Sequence, residues 1–168
     1  NDPFSLQGWF GTAIDRAVLG ESHMYHGEGV AFDPEGLIST LPAVVQVILG
    51  YWAGNFIVRK KNLPAEEKEE PVKDFYPLLT KLFVAGVLLI FTGLCWNTVF
   101  PLNKKIWTGS FVLYTSGLAI VVLAMLIYGI EIKKWRGAWS HFFDVFGKNP
   151  LFIFVLSGIW VRLYGFVR

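Results

Sequence analysis

The chain has 168 residues, with 15 basic and 13 acidic side chains and a formal net charge of +2. It is 54% hydrophobic and only 17% charged, with a mean hydropathy of +0.47, whereas a soluble domain carries about 25% charged residues to meet water. So small a net charge, held in short clusters, gives no surface for a nucleic-acid partner, and one cysteine, Cys95, excludes an intramolecular disulfide.

In chain order, Leu6, Trp9, Phe10, Ile14, Ala17 and Val18 recur at helical spacing and Gly20 supplies a stop, predicting a short amphipathic helix on a membrane surface. The segment lacks the basic start and continuous apolar core of a signal peptide. Three stretches without charge follow: Gly36 to Val58, Leu82 to Asn103 and Ile106 to Ile130. A bilayer core of about 30 Å needs roughly 20 apolar residues at 1.5 Å each, and each stretch is long enough. A fourth, Asn149 to Val161, reaches that length if the helix continues to Val167 while Arg162 snorkels to the headgroups. The fold class expected is therefore all-α: a polytopic membrane protein with about four spans (36–58, 78–100, 106–130 and 149–167) and short amphipathic interfacial helices. Residues 1–35 form a segment outside the transmembrane domain of 36–168.

Local signals fit these ends. Asp33-Pro34-Glu35 reads as a helix cap, a first-turn proline and an acid at the positive end of the dipole. Pro42 predicts a kink, Pro101 a stop, and Asn149-Pro150 a new start. Trp96, Trp107, Trp135, Trp139 and Tyr164 fall where interfacial aromatics belong. Gly50 and Gly54 form a G-x-x-x-G pair suited to close helix contact; Gly86, Gly93 and Asn97 share one face of the second span; Tyr114 to Gly117 give the third a polar texture. Trp139, Phe142, Phe143 and Phe146 predict a second amphipathic helix. Between Pro64 and Pro71 the run Ala-Glu-Glu-Lys-Glu-Glu reads as a solvated loop.

Orientation follows from the basic residues. Arg59, Lys60, Lys61, Lys68 and Lys73 lie on the same side as Lys133, Lys134, Arg136 and Lys148, against Arg16, Lys104 and Lys105 opposite. The positive-inside rule then puts 59–75 and 131–148 in the cytoplasm and 1–35 and 101–105 outside.

Candidates for chemistry cluster in those outer segments. His23 and His26, with Glu21, Glu28 or Asp33, could bind a metal, act as acid or base, touch substrate, or belong to a structural loop; the reading is no metal. Asp33 and Glu35 form either a carboxylate pair or the cap and dipole partner of the first span. Asn103-Lys104-Lys105 either holds an anionic group or keeps a hairpin in water. His141, among aromatics, reads as an interfacial side chain. No phosphate loop, nucleophile triad or H-E-x-x-H is present.

Four stretches, in family order, resemble the heparan-α-glucosaminide N-acetyltransferase family of transmembrane acyltransferases and its bacterial relatives. They are Ala13 to Tyr25, Phe32 to Leu41, Phe100 to Leu113 and Phe146 to Gly158. The resemblance implies transfer of an acetyl group from cytosolic acetyl-CoA to an amino sugar across the membrane, in the bacterial inner membrane. It carries over Asp15, Arg16, His23, Asp33, Glu35, Asn103, Lys104 and Asn149 as family-like positions, of which His23, Asp33, Glu35, Asn103 and Lys104 are the substrate-binding candidates. The family's N-terminal half, with an Arg-Gly motif and an active-site histidine, has no counterpart here. The chain is thus expected to be the C-terminal portion, its catalytic residue unknown and its missing half a partner. Other partners are membrane lipids and the glycan acceptor, with a homo-oligomer left open. A transporter or a non-catalytic membrane scaffold are the alternatives that the spans alone allow.

Overall fold

The computed structural model describes residues 2–27, 29–61 and 75–166. The acidic run between Pro64 and Pro71, Glu28 and Val167 lie outside them. Among the described residues the chain is helical and without strands, and three helices are long and apolar enough to cross a membrane, or four if one bent pair counts as a span. This is the polytopic all-α class that composition implied.

The elements are α1 (Phe10–Leu19), α2 (Leu37–Lys61), α3 (Phe75–Trp96), α4 (Gly109–Ile127), α5 (Ala138–Lys148) and α6 (Pro150–Phe166), with a π turn at Tyr128–Ile132 extending α4. They form two compact units, Asn1–Tyr128 and Gly129–Arg168.

In the first unit α3 and α4 make the closest pair. Added at Gly86, a Cβ would lie 2.7 Å from Val121 Cγ2 and 3.0 Å from Gly117 O; at Gly93 it would lie 2.8 Å from Tyr114 N. Only the absence of side chains lets the backbones approach this far. Leu78, Leu82 and Ala124 bury themselves at the far end of the same crossing, with Phe56 and Ile57 of α2 packed on them. By contrast, nothing lies within 4 Å of a Cβ at Gly50 or Gly54. The G-x-x-x-G pair of α2 makes no helix contact within the described chain, because the crossing that forms uses the glycines of α3 and α4.

Helix ends follow local chemistry. Asp33 does not cap α2. Its Oδ1 accepts from Glu35 N at 2.9 Å, closing a turn before the helix, and α2 begins four residues later, at Leu37. The cap comes from another element: Asp15 Oδ1, on α1, accepts from Leu37 N at 2.9 Å. Glu35 precedes the helix and lies outside its first turn. α3 starts at Phe75, so Lys81 sits inside it, exposed; its long stem can carry the ammonium toward headgroups. α4 starts only after Trp107, at φ 52°, with the Thr108 hydroxyl accepting from Phe111 N.

In the second unit, α5 and α6 meet at Asn149 with a bend of 92°. The α5 aromatics Trp139, Phe142, Phe143 and Phe146 are all exposed, and Asp144 pairs with Lys148 at 2.6 Å. Glu131 holds Arg136 at 3.2 Å.

Candidate functional site

The segments that carry the candidate residues converge at one end of the first unit. Trp9, Phe32 and Ile106 are buried together, with Phe4, Leu6, Val30, Ile38 and Phe100 packed around them. Trp9 stacks on Phe100 at 5.7 Å, and Phe4 meets the same ring at 5.4 Å. Residues far apart in sequence thus join the N-terminal segment, the loop before α2 and the hairpin between α3 and α4. Burial of three large apolar side chains, each contributing about 1.5–3 kcal/mol, holds this end closed.

Asn103 is the polar centre of that join. Its Nδ2 donates to Phe4 O at 3.4 Å, its Oδ1 accepts from Lys105 N at 2.9 Å, and its N–H donates to Thr108 Oγ1 at 3.0 Å. With its side chain so engaged, Asn103 builds the hairpin. Lys104 is exposed at the hairpin's tip, and among the described residues no hydrogen bond or ion pair engages its side chain.

α1 contributes in an unexpected sense. Its apolar side chains Phe10, Ile14 and Val18 are exposed, while Gly11, Thr12 and Asp15 face inward. The polar stripe packs on the protein because Asp15, 2% exposed, caps α2. Gly36 must be glycine beside it, since a Cβ there would lie 2.0 Å from Asp15 Oδ2. The apolar stripe faces away from the rest of the first unit. Gly20, at φ 78°, ends the helix and donates to Arg16 O at 3.1 Å.

His23 follows in a 3-10 turn (Glu21–His23). Its Nδ1 sits 2.9 Å from Leu19 O, a carbonyl that can only accept, so Nδ1 carries the proton in that contact. Nε2 is the free edge of an exposed ring, within reach of a hydroxyl or amine. His26 is also exposed. Beyond the Asp33–Glu35 turn, no hydrogen bond or ion pair joins His23, Asp33, Glu35 and Lys104 to one another. Among the described residues no three His, Cys, Asp or Glu side chains gather as a metal would require.

Sequence reasoning missed the cap made by Asp15. An aspartate amid the apolar positions of α1 was the available signal, but its partner lies 22 residues away. It also missed the buried set of Trp9, Phe32 and Ile106, whose members belong to three separate segments.

No family model matches the chain. Heparan-alpha-glucosaminide N-acetyltransferase of Mus musculus is 31% identical over 153 residues, 84% of this chain and 22% of that protein. The Homo sapiens protein of the same name is 30% identical over 164 residues, 91% of this chain and 23% of its own length. The chain thus spans less than a quarter of the curated relatives it matches. Its homologues carry the name of the family that its motifs resemble, across most of its length.

Proposed function

We propose that this chain forms the C-terminal membrane portion of an acyltransferase that moves an acetyl group from acetyl-CoA to an amino sugar across the membrane. The observation that carries the reading is similarity over most of the chain to proteins named as glucosaminide N-acetyltransferases. Its finer content rests on the end where 1–35 meets 101–105. That end faces away from the cytoplasm in the orientation set by the basic residues, and there it presents His23, Asp33, Glu35 and Lys104 to an acceptor. Asn103 and Asp15 hold the frame. The exposed His23 Nε2 and the free Lys104 ammonium suit, respectively, a sugar hydroxyl or amine and a phosphate or carboxylate. The acetyl donor comes from the cytoplasmic side, and the nucleophile or base that completes the reaction is supplied by a part of the protein beyond this chain.

The test is acyl transfer by the full-length protein in liposomes, with labelled acetyl-CoA and a panel of amino sugars headed by glucosamine. Labelled N-acetyl sugar is the expected product. No transfer to any member would shift the reading to a transporter. Asp33→Asn and Lys104→Ala are expected to lower turnover about ten-fold, the worth of one or two polar contacts; wild-type rates in both would make these residues structural. Orientation is read by placing cysteine at Gln7 in a Cys95→Ser background: a membrane-impermeant maleimide should label it from outside only.

A further inference from the structure

α5 and α6 are joined at a single residue. Asn149 ends α5, its N–H donating to Phe146 O at 3.1 Å and its Nδ2 to Val145 O at 2.8 Å. Its carbonyl opens α6 by accepting from Ile153 N at 3.1 Å. Pro150 holds the joint, because a proline ring keeps the residue before it out of helical geometry. Two helices that share one residue have no linker in which to swing, so the 92° between their axes belongs to the joint itself. α6 is apolar apart from Arg162, one turn from its far end, and its 17 residues extend about 25 Å, most of a hydrocarbon core of about 30 Å. α5, with 11 residues and about 16 Å, is too short to cross. Set at a right angle to a span, it lies in the plane of the membrane.

The side chains of α5 are sorted to suit that position. At about 100° per residue, Trp139, Phe142, Phe143, Val145 and Phe146 fall within an arc of about 160°. Ser140, His141, Asp144 and Lys148 occupy an arc of about 100° on the opposite side. All five apolar side chains are exposed. A span formed by the bent pair would carry Asp144 and Lys148 into hydrocarbon, a cost that an interfacial helix avoids. Charge decides the kind of surface. Between Glu131 and Lys148, four basic residues, Lys133, Lys134, Arg136 and Lys148, stand against Glu131 and Asp144, a surplus of two positive charges. The pairs of Lys134 and Arg136 with Glu131 and of Lys148 with Asp144 lie at the surface, where such pairs are weak and give way to a headgroup phosphate. A protein groove would take the apolar arc but has no need of the surplus charge beside it. A bilayer containing anionic lipid takes both.

We propose that α5 is an in-plane anchor that seats its aromatic arc in the headgroup boundary of an anionic phospholipid leaflet, with Lys133, Lys134, Arg136 and Lys148 toward the lipid phosphates. Trp139 and the three phenylalanines set its depth, because aromatic rings are favoured at that boundary. The joint at Asn149 passes this depth on to α6, whose Arg162 snorkels to the opposite surface, so the bent pair is held at both faces of the bilayer. The anchor is independent of the acyl transfer proposed above.

Spin labels on the full-length protein, in nanodiscs of mixed phosphatidylcholine and phosphatidylglycerol, test the seat. Phe142→Cys, Phe146→Cys, His141→Cys and Asp144→Cys are made singly in a cysteine-free background, and each carries a nitroxide. Labels at Phe142 and Phe146 should collide several-fold more often with oxygen, which concentrates in lipid, than with a water-soluble nickel chelate. Those at His141 and Asp144 should show the reverse. Labels on the apolar arc shielded from both reagents would mean that protein covers it, and overturn the anchor; so would four labels that behave alike. The lipid class is read by energy transfer from a dye at His141→Cys to acyl-labelled phosphatidylglycerol or phosphatidylcholine at equal mole fraction. About five-fold enrichment of phosphatidylglycerol beside α5 is expected, the effect of one fully effective basic charge. Lys133→Gln, Lys134→Gln and Arg136→Gln together should bring the two lipids to parity. Equal transfer to both lipids before those substitutions overturns the anionic surface.

Discussion

α2 and the α3–α4 pair are similar in length and apolar character, yet the protein holds them in different ways. Along the most apolar stretch of each helix, 28% of the residues of α3 and 33% of those of α4 with its π turn are buried, against 0% for α2. α3 and α4 are fastened along their length by Gly86, Gly93 and Gly117, where backbone meets backbone. α2 is fastened at its ends, by Asp15 at Leu37 N and by Phe56 and Ile57 against the Leu78 cluster, with the long Gln46–Thr115 contact between. Hydrophobicity sends all three helices into a membrane; it does not decide which of them touch. In hydrocarbon an apolar side chain gains nothing by leaving lipid for another helix, so close packing at small residues and polar contacts make the choice.

The comparison breaks most readily at Gly93. Gly93→Leu places a side chain against Tyr114 N and Ser110 O, neither of which can move without the helix, and should cost about 3 kcal/mol or more. A thermal melt in detergent measures it, and a wild-type melt would mean that the α3–α4 crossing is looser than the backbone distances indicate. Next comes Asp15→Ala, which removes the cap of α2 and leaves Leu37 N without its partner. A loss of about 1–2 kcal/mol is expected, largely recovered in Asp15→Asn, since an amide oxygen can also cap. No recovery would show that charge, rather than the hydrogen bond, is what α2 needs. The smallest effect belongs to Gly50→Leu. With open space around its Cβ, this change should stay within about 0.5 kcal/mol of wild type in the isolated chain. A large loss there would reveal a partner on the bare face of α2.

Much of the fold was legible because spans and their ends are written in local chemistry. Charge-free lengths marked the long apolar helices, though α3 begins before Lys81 and ends at Trp96, several residues ahead of the stretch from Leu82 to Asn103. Gly20 marked the end of α1, Asn149-Pro150 the start of α6, and the spacing of Gly86 and Gly93 the face that α3 gives to α4. The candidate site was legible only as two outer segments. Asp33 looked like the cap of α2 because it stands beside a proline and an acid; the helix instead takes its cap from Asp15, which sequence spacing had placed on an amphipathic surface helix. The apolar stripe of α1 was read from its period, but the stripe that packs inward is the polar one.

Hydropathy, summed over stretches of about twenty residues, determined that the chain is built of helices long and apolar enough to cross a membrane, because transfer into hydrocarbon depends on composition and length. The tertiary structure alone decided which glycines make contact, which aspartate caps α2, and that Trp9, Phe32 and Ile106 close one end. Each of these depends on a partner tens of residues away, brought within a few ångströms only when the helices pack.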